Sequence, residues 1–378
     1  MACNRVRIGD VASFRKQPIK PEPGVIYCVY SLPAFDNGRA PEAFDGSEVL
    51  SSKLHIEDGD ILVNKLNMRF KRIWPICQAV ENSVCSTEFV PLVPNDHIDP
   101  RYLYYVLLSD QFTHELSSMR TGTSGSHQRV KPEWILNYEF KLPDKPTQRK
   151  IGSFLGTLDS KIVLNQHIND YLLELATALF EHALDKSHTE VSLGDIVDLE
   201  DSKRIPLNSR DRAQRKGPYP YYGATAIMDY VDDYLFDGIR ILLGEDGTVI
   251  SDDGKPILQY VWGKYWVNNH AHILKASSIY SLEAIYIALS RTAIKHIVTG
   301  AVQMKISQRN LKNLRLTMPS PDEISNLNDL FEMYRQNVEE NKALEALRDS
   351  ILPKLMSGEI DVSQVEVPMQ PNNHLCAG

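Results

Sequence analysis

From residue 147 to residue 185, apolar side chains recur at alternating steps of three and four. They run Ile151, Leu155, Leu158 and Ile162, then Asn165 and Asn169, then Leu172, Ala176 and Leu179. A second run over 322–357 keeps the same step through Leu327, Leu330, Tyr334, Asn337, Asn341, Leu344, Arg348, Ile351 and Leu355. That spacing lines one face of a helix, and about 36–39 residues at 1.5 Å each give helices of roughly 55 Å. Such a length exceeds what a helix covering one domain needs, so the two are expected to pair with each other. Both seams carry two Asn at matching steps, Asn165 with Asn169 and Asn337 with Asn341. A polar residue in a coiled-coil core fixes register at a cost in stability, which predicts one specified pairing. The competing picture is two separate surface helices whose Asn face water.

Ahead of each helix the chain is punctuated by short β-type runs broken by Gly, Pro and Asp: VIYCVY, DILVNK and FVPLV before the first, IRILLG, PILQYVW and YWVNNHAHIL before the second. The plan occurs twice. VRIGDV at Val6–Val11 recurs as VSLGDI at Val191–Ile196, and Glu57–Val63 is echoed by Phe236–Leu243. WILNYEFKLP, ending at Pro143, matches NLKNLRLTMP, ending at Pro319, and Leu164–Leu172 matches Gln336–Leu344. The order is constant while the offset shrinks, as expected when elements correspond and loops differ. The predicted fold is α/β (α+β): two mixed α/β domains joined by two long antiparallel coiled-coil helices, with an internal two-fold repeat. The expected boundaries are 1–145, a central helix over 146–187, 188–319, a C-terminal helix over 320–360, and a disordered tail over 361–378. Antiparallel packing of the helices is expected to put the two domains at opposite ends of a rod, a molecular ruler.

At 378 residues, with 43% hydrophobic and 24% charged residues, the chain is a globular protein too long for one ordinary domain. The longest apolar run, Tyr102–Leu108, is far short of a membrane span. The N-terminus carries Arg5, Arg7 and Asp10 without an apolar stretch, so a cytoplasmic location is expected. Cys3, Cys28, Cys77, Cys85 and Cys376 form no C-x-x-C pair and are expected to be reduced. The net charge of -8 is unevenly spread, with a net -7 in residues 320–378 alone. The rest of the chain is close to neutral, so the balance does not exclude a polyanionic partner.

The repeat, the helices and their order resemble the specificity (S) subunits of Type I restriction-modification enzymes, over essentially the whole chain. LEALRDSILPKLMSGEI, Leu344–Ile360, is similar to their C-terminal conserved helix, and LDSKIVLNQHINDYL, Leu158–Leu172, to their central one. Tyr219–Gly238 and Tyr265–Leu274 are similar to segments of their target recognition domains. The resemblance implies a non-catalytic protein whose two target recognition domains each read half of a split double-stranded DNA site. It further implies that the helices set the spacer and bind two methyltransferase subunits, with nuclease-translocase subunits joining the full complex.

The residues themselves offer no catalytic constellation. G-x-x-x-x-G-K-[ST], H-E-x-x-H and N-P-P-[FY] are missing, and GEDG at Gly244–Gly247 lacks the Lys and Ser that hold phosphate and metal. No cofactor or metal is expected. The alternative from another class is a metal-dependent hydrolase using His270 and His272, spaced for one face of a strand, with Glu245 or Asp246. A bare coiled-coil scaffold is a third reading. Two basic clusters can track phosphates: Lys65, Asn67, Arg69, Lys71 and Arg72 with Phe70 between them, and Lys203, Arg204, Arg210, Arg212, Arg215 and Lys216. Before the closing strand of each repeat lie Gly-rich loops bearing hydrogen-bonding heads, Ser126, His127, Gln128 and Arg129 in one and Gln303 and Lys305 in the other. Arg129 suits guanine, and Gln128 or Gln303 suits adenine. Tyr221 is a candidate to pack on sugar or phosphate, and Phe331, Val338 and Leu347 to form a methyltransferase docking face.

Overall fold

The structure, a computed structural model, describes residues 4–119, 129–300 and 303–362. It divides into two compact units, residues 1–166 with 338–378, and residues 167–337.

In the first unit the strand Asn4–Arg7 pairs antiparallel with Glu139–Leu142, tying the two ends of the domain together. Between them lies an antiparallel sheet in the order Ala12–Phe14, Phe89–Pro94, Ile61–Asn64, Ile73–Pro75. A second sheet has five strands, in which Ile26–Tyr30 runs parallel to Ser83–Ser86. The helix Pro100–Leu108 starts where its sequence directs: the Asp99 carboxylate accepts from the Arg101 and Tyr102 N–H groups, and Pro100 begins the first turn. It carries the longest apolar run, which is buried in the core with Ile151, Leu155, Leu352, Leu355 and Val362. Val362, assigned to a tail, is therefore part of this core. The remainder of that tail, from 363, lies outside the described residues.

The second unit repeats the plan. His188–Ser192 pairs with Arg315–Pro319, and an antiparallel sheet runs Val197–Leu199, Ala271–Ala276, Arg240–Gly244, Leu258–Val261. A further sheet sets Lys216–Tyr222 parallel to Lys264–Val267. YWVNNHAHIL is not one strand: Lys264–Val267 and Ala271–Ala276 are separated by a turn in which Asn268 Oδ1 accepts from the His270 N–H. Phe331, expected on an exposed face, is buried among Tyr260, Tyr286 and Tyr334, with ring centroids 5.1–6.3 Å away. Aromatic packing off the seam claims it. Val338 is half-buried and Leu347 is exposed.

Strand register aligns the two domains residue by residue. Leu92 lies between Phe14 and Ile61, and Leu274 between Leu199 and Ile241. One step further, the Arg15 N–H donates to Pro91 O at 3.0 Å and the Glu200 N–H to Ile273 O at 2.9 Å. The side chains at these matching positions form ion pairs of opposite polarity: Arg15 on Asp60 at 2.8 and 3.1 Å, and Arg240 on Glu200 at 2.6 Å. Burial pushes the Asp60 carboxyl above its ordinary range despite Arg15. Burial acts the same way on Glu200 but is outweighed by Lys203 and Arg240, which hold it below.

The central helix spans Lys145–Lys186, close to expectation. The C-terminal helix spans Leu327–Ser357, later than the 320 or 322 expected, because a separate 3-10 turn at Pro321–Ile324 precedes it. In the first unit Arg348 Nη1 meets Asp159 at 2.7 Å, Asn165 Nδ2 donates to Asn341 Oδ1 at 2.9 Å, and Asn341 Nδ2 donates to Ile162 O at 3.2 Å. In the second, Asn337 Nδ2 donates to Asn169 Oδ1 at 2.8 Å and Lys186 reaches Glu323 at 2.6 Å. As one number rises the other falls, so the pairing is antiparallel within each unit. Cys28 and Cys85 carry free thiols, whereas Cys77 is disulfide-bonded, contrary to the reduced state expected. Which Sγ atoms meet is set by folding and not by spacing.

Candidate nucleic-acid interface

The same backbone arrangement recurs where each central strand ends. In the first domain the Lys65 N–H donates to Glu88 O at 2.7 Å and the Val130 N–H to Lys65 O at 3.0 Å, with a bridge between Leu66 and Arg129. In the second the Glu245 N–H donates to His270 O at 2.8 Å and the Ile306 N–H to Glu245 O at 2.9 Å, with a bridge between Asp246 and Lys305. In both, the loop after the central strand is joined to the loop before the closing strand. Residues more than 50 apart in sequence are thereby brought to one head.

The first head unites Lys65, Asn67, Arg69, Lys71 and Arg72 with Arg129. Asn67 adopts a left-handed backbone, φ 59°, and accepts from the Phe70 N–H at 3.0 Å, turning the basic loop sharply. Phe70 is half exposed, with the guanidiniums of Arg69 and Arg72 at 5.0 and 5.1 Å from its ring centre. Arg72 is largely buried and grips Asp36 through two bonds of 2.7 Å, which hold that carboxyl below its usual range. Lys71 meets Asp110 at 2.6 Å, and Arg129 lies on Glu88 at 2.7 and 3.2 Å while staying 61% exposed. Ser126, His127 and Gln128 lie outside the described residues.

The second head is built differently. Gln303 and Lys305 are exposed on a tight hairpin in which Thr299 and Lys305 exchange backbone bonds of 2.7 and 2.8 Å. Gly300, at φ 90°, makes this turn, and a Cβ there would fall 2.1 Å from Gln303 O. The position matching the basic loop carries Glu245 and Asp246. Arg204 donates to Glu245 at 2.6 Å, Lys305 lies 3.4 Å from it, and His270 Nδ1 is 2.5 Å from Asp246. Sequence reasoning missed Glu88, and it singled out Glu245 and Asp246 only as partners of a metal, not as part of this head. The repeat offset, carried from Asn64 to Gly244, was the signal that pointed to them.

The cluster from Lys203 to Lys216 does not act as one patch. Arg204 turns inward to Glu245 and Ala271 O, and Lys203 binds Glu200. Arg212 and Lys216 converge on Asp229, at 3.4 and 2.5 Å, and Arg215 pairs with Asp232 at 2.9 Å. Arg204 and Arg212 are thus largely buried, whereas Lys203, Arg210 and Lys216 remain exposed. Tyr221 is 1% exposed, its ring beneath Arg212 and its hydroxyl accepting from the Leu207 N–H at 2.9 Å. It cannot touch a ligand, because its position on the strand turns it inward. The His270–His272 pair also fails as a metal site: His270 sits in the turn and His272 in the strand Ala271–Ala276, and each ring faces its own carboxylate, Asp246 and Asp201.

Two α/β domains, each closed by its own terminal strands and continued into a long helix carrying register Asn pairs, define a duplicated α/β architecture. The chain belongs to the family described as the Type I restriction modification DNA specificity domain, whose model matches residues 4–174 and again 186–346. A segment of 131 residues, 34% of this chain, is 32% identical to the Type I restriction enzyme HindI specificity subunit of Haemophilus influenzae; it spans only 28% of that protein. The MjaIX specificity subunit of Methanocaldococcus jannaschii is 23% identical over 323 residues, 73% of each chain. The crystal structure of the Type-I restriction-modification system S subunit from M. genitalium shares the fold, with a TM-score of 0.56 at 17% identity over 94% of this chain and 96% of that one. Among the described residues no helix is long and apolar enough to cross a membrane.

Proposed function

We propose that this chain is the DNA-reading, non-catalytic subunit of a Type I restriction-modification complex. Domains 1–145 and 188–319 each read one half of a split target, while the helices 146–187 and 320–360 fix register through Asn165, Asn169, Asn337 and Asn341 and set the spacer between halves. Two methyltransferase subunits dock on the helices, and nuclease-translocase subunits complete the assembly. The reading is supported above all by the recurrent head, which brings exposed groups to the same backbone site in each domain: basic side chains from two loops in the first, and Gln303 and Lys305 beside Glu245 and Asp246 in the second. Arg69, Lys71, Lys203 and Lys216 suit phosphate contacts; Arg129 and Gln303 suit base edges. The acidic C-terminal segment suits a protein partner better than DNA.

The test is salt dependence of DNA binding by the complex. Replacing Arg69 and Lys71 together by Ala is expected to weaken binding on all sequences and to lower the log–log salt slope by roughly 1.8, near 0.9 per lost phosphate contact. An unchanged slope removes this loop from the footprint.

A further inference from the structure

Beneath the second head lies a charged cluster for which phosphate or base contact has no use. His272 has no exposed surface. Its Nδ1 is 2.6 Å from Asp201 Oδ2, and its Nε2 donates to the backbone carbonyl of Ile306 at 2.8 Å. Asp201, itself buried, also accepts from the Ile273 N–H at 2.9 Å and from Gln308 Nε2 at 2.6 Å, and lies 3.7 Å from Arg204. Burial pushes its carboxyl up, but the bond and charge of His272 outweigh this and hold it below its ordinary range. Asp201, Glu245 and His272 place three potential ligand atoms within 4.8 Å of one another. Both imidazole nitrogens are already taken by protein groups, however, and Arg204 occupies Glu245. The cluster is a tie between protein segments.

What it ties is informative. Ile306 ends the hairpin that starts at Thr299, and its N–H bonds Glu245 O while Met304 O accepts from Gly247. The His272 ring thus grips from below the segment that carries Gln303 and Lys305. In the first domain, register places Val90 where His272 stands, since Val90 pairs with Val63 as His272 pairs with Leu243. Val90 is equally buried and packs in the core. An apolar residue therefore satisfies this position in the same fold, and a buried ion pair is often no more stabilising than a well-packed apolar one. Stability does not explain why the second domain keeps a charged pair there. Directional hold on the Ile306 carbonyl does, because a hydrogen bond fixes orientation and a methyl contact does not.

We infer that His272, anchored by Asp201, is a positioning residue that sets the segment 303–306 and so determines how selectively the second half-site is read. The inference rests on the proposed reading of DNA by this hairpin. His272→Asn keeps a donor for Asp201 but cannot reach Ile306, while His272→Gln keeps a donor toward Ile306. Sequencing of DNA methylation in cells making each variant with its methyltransferase subunits reads the effect. His272→Asn is expected to cut discrimination about tenfold at one position of the second half-site and to leave the first half intact, with His272→Gln restoring most of it. An unchanged motif in the folded Asn variant overturns the inference, as does equal loss in both variants. Should the Asn variant not fold, His272→Val, which places there the side chain that Val90 supplies at the matching position of the first domain and removes the donor to Ile306, carries the same expectation, and an unchanged motif there also overturns it. Gln303→Ala is measured alongside. If it leaves the motif intact, the hairpin does not read DNA at all; if it alone blurs the second half, only the His272 tie fails.

Discussion

The two heads share a ladder and little else. Lys65, Leu66, Glu88 and Arg129 in the first domain stand where Glu245, Asp246, His270 and Lys305 stand in the second, on matching backbone bonds. The first presents a basic loop, and the second presents carboxylates already covered by Arg204, His270 and Lys305. The ion pairs Arg15–Asp60 and Glu200–Arg240 carry the same lesson inside the sheet, since the geometry is retained while the sign is exchanged. A frame held by main-chain bonds tolerates wholesale replacement of its side chains. That is what the proposed reading of different bases by two domains of one fold requires.

The strongest way to break this comparison is to reverse one ion pair. Arg15→Glu sets two carboxylates together at Asp60 and is expected to cost roughly 3–5 kcal/mol in chemical denaturation of the full chain. Adding Asp60→Arg rebuilds the polarity of the second domain and should recover more than half of that loss. No recovery means that the two sites are not equivalent.

Next comes a glycine retained in both copies, where backbone passes close. A Cβ on Gly194 would lie 2.9 Å from Lys312 Cβ and 3.1 Å from Lys312 O, whereas on Gly9 the nearest atom is Leu136 O at 3.2 Å. Gly194→Ala is expected to destabilise by about 1–3 kcal/mol and Gly9→Ala by less. Comparison of melting curves checks the order.

Acid sharpens the comparison further. Asp201 and Glu200 are held below their ordinary values, so the stability they give is present above an unfolded pKa near 4 and is lost as pH falls through their lower folded values. Asp60 is raised, so the folded state takes up its proton first and this group turns stabilising as pH falls. Pepsin is therefore expected to cut within 188–319 before 1–145 as pH drops from 5 to 3. The reverse order contradicts the assignment of these carboxylates.

Much of the fold was legible in the sequence because it rests on periodicity and repetition. The three–four seam, the paired Asn and the twofold recurrence of V-x-I/L-G-D all follow from local pattern. What was not legible depends on partners that only folding supplies. Lys203–Lys216 looks like the counterpart of Lys65–Arg72 on charge alone, yet Asp229, Asp232 and Glu245 absorb most of it, and the true counterpart is the acidic turn after Gly244. Strand alternation buried Tyr221, a turn left His270 on Asp246 while the strand carried His272 to Asp201, and an aromatic cluster took Phe331 from the surface. Pairwise contact, and not composition, decided each case.

The central claim is that each head reads its own half of one target, and it meets its most direct test in the methylation motif. Arg129→Ala and Gln303→Ala, each made in the complete complex, should each degrade one base position at a cost of about 1–3 kcal/mol on the cognate site. The account predicts that the two blurred positions fall in opposite halves of the motif, with the gap between halves unchanged. Blurring of the same half by both variants, or a uniform loss over all sites, would contradict it.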